Sequence, residues 1–255
     1  MDRPTVLVTG MSGLIGGAVR RQLGGRYELR ALNRRAVAGV PCHQADIADL
    51  DAIQPAFKGV DAVVHLAASV GTRAPFDEVL RANVVGTYNV FEAARRAGVW
   101  RVVYASSGAT VSGYERDMPY RALAAGRYDE LGGTWTKLTH EAPVRPAGLY
   151  GVSKVWGEAL ARHYADAHDL SVVCVRIGHV TAEDRPRAPR DFSVWCSQRD
   201  VARMIEACLR APDSLRFDVF FAVSNNTWSY RDLDHARRVL GFEPLDAAET
   251  YRPSG

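Results

Sequence analysis

Two residues spaced for one helix face, and a serine pair upstream, point to proton and hydride chemistry. Tyr150 and Lys154 stand four apart in Leu149-Tyr150-Gly151-Val152-Ser153-Lys154, where helical periodicity begins, so their side chains share a face. Ser106-Ser107 closes the apolar run Arg101-Val102-Val103-Tyr104-Ala105, and serines beyond the carboxyl end of a parallel strand face the crevice where ligands bind. A phenol titrating near ~10 is a poor base at neutral pH. A neighbouring ammonium from Lys154 and a cationic nicotinamide ring would both favour its phenolate. Tyr150 could then exchange a proton with a substrate hydroxyl while the nicotinamide exchanges a hydride. Ser107 would hold the same substrate oxygen, and Lys154 would also bond the nicotinamide ribose. Tyr-x-x-x-Lys by itself recurs on many helix surfaces. Its meaning depends on a second feature.

That feature is Thr9-Gly10-Met11-Ser12-Gly13-Leu14-Ile15-Gly16-Gly17, between the apolar run Val6-Leu7-Val8 and the helical pattern Ala18-Val19-Arg20-Arg21-Gln22-Leu23. Gly10 suits a tight turn of positive φ, Gly13 lets a pyrophosphate approach the backbone, and Gly16 lets the helix pack on its strand. The helix N-terminus offers free N–H groups and partial positive charge to the phosphates. Ser12, Leu14 and Ile15 are expected against the same cofactor. After the second strand, Glu28 to Leu32, an acidic residue would accept hydrogen bonds from the adenosine ribose of NAD. Here the chain has Asn33-Arg34-Arg35, which tolerates a 2′-phosphate, so the cofactor expectation is NAD or NADP, tilted toward NADP. Asp46 is a candidate for the adenine amine or for a capping role, and Ile47 for packing on the ring. Leu66, Ala67 and Ala68 follow the strand Asp61 to Leu66 and let backbone approach the ribose and phosphate. Ser69, Asn83, Ala105 and Ile177 complete the expected lining.

Short apolar strands alternate with helical patterns through most of the chain, the signature of a parallel sheet with right-handed crossovers. We expect an α/β fold, a Rossmann-like doubly wound parallel sheet with a small C-terminal substrate-binding part. Within one domain of 1–255, residues 1–178 would bind the dinucleotide and 179–255 mainly the substrate. A helix is expected from Pro75 to Ala97, and a long functional or mobile segment from Tyr114 to Arg145. The 255 residues suffice for one substantial core. A net charge of +3 argues against nucleic acid or an anionic membrane as partner. Cys42, Cys174, Cys196 and Cys208 lack CxxC spacing and read as reduced thiols without a metal site. With neither a leader sequence nor a membrane-spanning run, a cytoplasmic protein is expected.

Taken together, Thr9-Gly10-x-x-Gly13-x-x-Gly16, Asp46-Ile47, His65-Leu66-Ala67-Ala68, Asn83, Ser106-Ser107 and Tyr150-x-x-x-Lys154 resemble the extended short-chain dehydrogenase/reductase family, which includes the NAD-dependent epimerases and dehydratases. Within it the chain looks most like uronate dehydrogenases and hexose-phosphate dehydrogenases, through Arg176-Ile177-Gly178, Trp195-x-Ser197 and Leu240-Gly241-Phe242. The resemblance implies Ser107, Tyr150 and Lys154 as catalytic residues and Arg190 as anchor for a substrate carboxylate, although a guanidinium suits carboxylate and phosphate equally. It implies a homodimer acting on a sugar, sugar acid or sugar phosphate, with Ser69, Ser107, Gly108 and Tyr150 against the substrate. Uronate dehydrogenases carry Asn-His after the paired serines, where this chain has Gly108-Ala109. An epimerase with tightly bound NAD is the alternative, disfavoured by the short tail after the last strand. A non-catalytic NADP sensor would have no use for the Ser/Tyr/Lys set.

Overall fold

The computed structural model describes residues 3–71 and 74–252. In chain order its main elements are β1 (Thr5–Thr9), α1 (Leu14–Leu23), β2 (Glu28–Asn33), β3 (Cys42–Gln44), α2 (Leu50–Ile53) and β4 (Ala62–His65). Then come α3 (Phe76–Val79), α4 (Gly86–Arg96), β5 (Arg101–Ser107), α5 (Tyr120–Ala125), α6 (Leu149–Ala167) and β6 (Ser171–Ile177). The chain continues with α7 (Asp191–Val194), α8 (Gln198–Leu209), β7 (Phe217–Ala222) and α9 (Asp234–Leu240). All seven strands are parallel, in the order β3-β2-β1-β4-β5-β6-β7. This is the expected doubly wound sheet. The strand order reverses at β1, between β2 and β4, and such a switch point opens a crevice beyond the carboxyl ends of the strands.

The inner strands β1, β4, β5 and β6 are buried almost throughout because helices cover both faces. Val6, Val8, Val64, Val103 and Val173 share one core with α1 and α8; Leu7, Val63, Val102 and Cys174 share the other with α4 and α6. Alternate residues of one strand thus enter opposite cores, as the period of two requires. Among the described residues, no helix is long and apolar enough to cross a membrane.

Two regions differ from the sequence expectation. The helix expected from Pro75 to Ala97 forms, but a π-helical turn over Leu80–Val85 joins α3 to α4 and carries the buried Asn83. The stretch from Tyr114 to Arg145 is built rather than loose. It contributes α5, and Tyr120, Leu123 and Leu138 pack with Val111, Val194, Phe221 and Tyr230 into a third small core. Its polar, glycine-punctuated sequence hid those contacts, because their partners lie far along the chain. Past residue 178 the sheet gains its last strand, β7, which pairs with β6, and α8 joins the core beneath α1.

Candidate active site

The glycine turn follows β1 as a tight loop in which each small residue has its own reason. Gly10 takes φ +71°, and a Cβ there would stand 2.8 Å from the Ala67 nitrogen. A Cβ on Gly16 would meet Met11 Cα at 2.5 Å. Gly13 is different: its φ is −77° and its nearest obstacle is the Gly10 carbonyl at 3.3 Å, so the protein alone barely requires glycine there. Gly13 is the N-cap of α1, with no side-chain cap and no acidic residue in the first turn. The first N–H groups of α1 are thus left for an anion. Ser12, Leu14 and Ile15 lie in this loop and first turn.

At the end of β2, Asn33 Nδ2 donates to Ser12 Oγ at 2.6 Å. Asn33 Oδ1 is buried and has no hydrogen-bond partner among the described residues. A buried acceptor without a donor costs on the order of 1–3 kcal/mol, which a ribose hydroxyl would recover. Arg34 and Arg35 are exposed beside it. The glycine cradle and the orphaned Asn33 oxygen together fit a dinucleotide.

Other expected cofactor residues are spent partly on the fold. Asp46 accepts from the Ala48 N–H at 2.9 Å and from Arg81 at 3.0 Å. Burial pushes its carboxyl up, but these two partners and Arg34 win and hold it below the usual range. Ile47 is buried, and any Cβ on Gly86 would strike its Cδ1 at 2.6 Å. Asn83 accepts from the Ser69 N–H at 2.7 Å and donates to the Ser69 carbonyl at 2.9 Å and to Ser153 Oγ at 3.0 Å. Its amide is a clamp that ties the Leu66-Ala67-Ala68-Ser69 turn to the start of α6. The Leu66 and Ala67 N–H groups are held in turn by Thr9 Oγ1 at 3.2 and 3.1 Å.

The fold brings Ser107, Tyr150 and Lys154 together at the carboxyl end of β5. Ser107 is its last residue, in register with Ile177 of β6. Lys154 is 2% exposed; its Nζ donates to the Ala105 carbonyl at 2.8 Å and lies 5.6 Å from the Tyr150 ring centroid. Burial pushes the ammonium down to about 8. Burial also pushes the Tyr150 phenol above its ordinary value, and a hydrogen bond with Ser107 draws it only part of the way back. Desolvation outweighs the neighbours, and the phenol stays protonated near neutral pH.

Sequence reasoning missed a layer below these residues. Glu158, one turn after Lys154 on α6, accepts Ser106 Oγ at 2.5 Å and both arms of Arg176 at 2.9 and 2.8 Å, all buried. The i, i+4, i+8 series of Tyr150, Lys154 and Glu158 was visible in the sequence; Arg176, its partner across the sheet, was not. Arg190 carries a second surprise. Its Nε and Nη2 hold the two oxygens of Glu115 at 2.7 and 2.6 Å, so the expected substrate anchor is already paired. Gly108, expected against the substrate, instead abuts the guanidinium of Arg231.

Residues 6–218 match the NAD dependent epimerase/dehydratase family. The chain belongs to that family. It is 38% identical over 270 residues to an NAD-dependent glucose-6-phosphate dehydrogenase of Haloferax volcanii, covering all of this chain and 98% of that protein. An L-arabinose 1-dehydrogenase (NAD(P)+) of the same organism is 34% identical, over 96% of this chain and 98% of its own. The crystal structure of uronate dehydrogenase from Agrobacterium tumefaciens superposes with a TM-score of 0.82 at 35% identity, covering all of this chain and 92% of that one.

Proposed function

We propose that this protein is an NAD(P)-dependent oxidoreductase that interconverts a hydroxyl and a carbonyl of a sugar, sugar acid or sugar phosphate. The observation that carries the reading is the convergence of Ser107, Tyr150 and Lys154 beside a glycine cradle that fits a dinucleotide. The names of its relatives, which act on glucose 6-phosphate, arabinose and uronates, support the substrate class. Gly10, Ser12, Gly13, Leu14, Ile15 and Gly16 would hold the pyrophosphate, and Asn33 with Arg34 the adenosine ribose. The bound nicotinamide supplies or accepts the hydride.

The chain's own residues handle the proton. Ser107 fixes the substrate oxygen beside the Tyr150 hydroxyl, so one proton can pass between substrate and phenol. Lys154 anchors the end of β5 through Ala105 and adds positive charge behind Tyr150, while Glu158 and Arg176 brace that face of α6. The first 178 residues would serve mainly the cofactor and the remainder mainly the substrate. A homodimer is supported by exposed apolar side chains on the long helical segments, Leu80, Tyr88 and Val152. The cytoplasm is the proposed compartment, supported by free thiols at all four cysteines.

The test is direct. Purified protein with NAD or NADP and a panel of aldoses, uronates and hexose phosphates should generate reduced nicotinamide with at least one sugar. Absence of reduction with either cofactor across the panel, and of the reverse reaction with the matching lactones, would remove the reading. Release of an epimerised sugar without net cofactor reduction would instead establish the epimerase alternative.

A further inference from the structure

Among the described residues three arginines lie within the interior, and one of them lacks the acceptors its burial calls for. Arg101, fully buried, donates to Ser171 Oγ at 3.0 Å and to the carbonyls of Ala211 and Pro212 at 2.6 and 2.8 Å. Arg176, 3% exposed, is bidentate to Glu158. Arg231 is 2% exposed, yet its Nε and Nη1 are buried with no hydrogen-bond partner among the described residues. A buried cation without a counter-charge is costly. A buried polar group left unsatisfied calls for an explanation, and an anionic ligand that completes it is one.

Its position identifies the ligand's place. A Cβ on Gly108 would meet Cζ and Nη2 of Arg231 at 2.2 Å and Nη1 at 2.3 Å. These near-equal distances mean that the guanidinium lies flat against the Gly108 α-carbon, where a side chain at 108 would otherwise stand. Gly108 directly follows Ser107. The rings of Tyr230 and Phe221 hold the fork from other sides, with centroids 5.6 and 6.0 Å from Cζ. Glu115, the carboxylate whose pKa responds to Arg231, is taken by Arg190 through both oxygens and by the Tyr230 hydroxyl at 2.5 Å. Two guanidiniums face one carboxylate here, leaving one positive charge unmatched.

We propose that Arg231 recognises a carboxylate or phosphate on the substrate beside Ser107, and that residue 108 is glycine to admit that guanidinium. The proposal rests on the sugar-oxidoreductase reading and narrows its substrates to anionic sugars. Arg190 then serves another purpose, which is to keep Glu115 away from Arg231.

Two measurements test this. In the first, kcat/KM is compared for glucuronate, glucose 6-phosphate and glucose, with wild type and Arg231→Leu, each checked for NAD affinity and circular dichroism. Wild type should prefer an anionic sugar at least tenfold over glucose, and Arg231→Leu should lose most of that preference; whichever anion is favoured distinguishes carboxylate from phosphate. In the second, inorganic phosphate and glucuronate are titrated calorimetrically into the NAD-saturated protein. Affinity should fall at least tenfold in Arg231→Leu. If that variant does not fold, Gly108→Ala, which displaces the guanidinium, should weaken the same binding, and Arg231→Lys should keep part of it. Sugar oxidation with an unchanged anionic preference in Arg231→Leu, or its collapse only in Arg190→Gln, overturns the proposal while leaving the reaction. Arg231-dependent anion binding without turnover of any sugar does the reverse.

Discussion

Tyr150 sits where burial opposes its use as a base. The phenol is raised by desolvation, and Ser107 offsets that only in part; in the proposed reaction the positive charge of an oxidised nicotinamide would favour the phenolate. Replacing Tyr150 by Phe removes the proton path but little of the surface that holds the dinucleotide. We expect kcat to fall by about 10²–10⁴-fold, the usual contribution of positioned acid–base catalysis. NAD affinity, read by fluorescence titration, should change less than about threefold; retained turnover would take Tyr150 out of its role. Arg34 offers a second test at this scale, because it is exposed beside Asn33 and forms no ion pair among the described residues. If it pairs with a 2′-phosphate, Arg34→Ala should weaken NADP binding by about tenfold, one charge-assisted contact, and leave NAD binding nearly unchanged. Equal effects on both cofactors would refute that pairing.

The β1-turn-α1 element separates two reasons for glycine that look alike in sequence. Gly16 is required by the fold, since its Cβ would stand 2.6 Å from the Met11 carbonyl oxygen. A Cβ on Gly13 would meet only the Gly10 carbonyl oxygen, at 3.3 Å, a contact a small shift relieves, so its missing side chain mainly serves what approaches the helix N-terminus. Gly16→Ala should therefore lower stability by about 1–3 kcal/mol, the ordinary cost of overpacking. Gly13→Ala should leave the thermal midpoint of the cofactor-free protein within a few degrees and still weaken NAD binding severely. Differential scanning fluorimetry with and without NAD distinguishes the two. Loss of stability in the absence of NAD for Gly13→Ala would show that this glycine, too, belongs to the fold.

Across the whole molecule, packing two cores against one sheet traps polar groups that then respond to pH. His65 ends β4 fully enclosed, with Nδ1 at 2.7 Å from Thr9 Oγ1 and Nε2 at 3.2 Å from Thr87 Oγ1. Burial, helped by the Lys154 charge, pushes its pKa down to about 3. The unfolded chain protonates this imidazole near its ordinary value of ~6.5, whereas the folded chain resists until far lower pH. Stability from His65 is thus complete above about pH 6.5 and drains away as pH falls toward 3. Between about pH 7 and pH 4 this single group should account for a loss on the order of 3 kcal/mol. Urea unfolding of wild type and His65→Asn at both pH values measures it. An equal loss in the variant would assign the acid sensitivity to other groups.

Local chemistry was enough to read much of this protein in its sequence. Strand–turn–helix at Thr9 to Gly17 and the four-residue spacing of Tyr150 and Lys154 depend on contacts within a turn or two, and both formed as read. Apolar strands alternating with helices were likewise enough for a doubly wound parallel sheet. Partnerships across long separations were not legible. The bonds of Asn83 to Ser69 and Ser153, the core assembled from 114–145, the Glu158–Arg176 pair across α6 and β6, and the capture of Arg190 by Glu115 all join distant residues. Gly108 and Arg231 show the difference most clearly: as sequence, one is a missing side chain and the other an ordinary arginine. Only tertiary packing lays the guanidinium where that side chain would be, because space and charge are shared between residues that the chain itself keeps 123 positions apart.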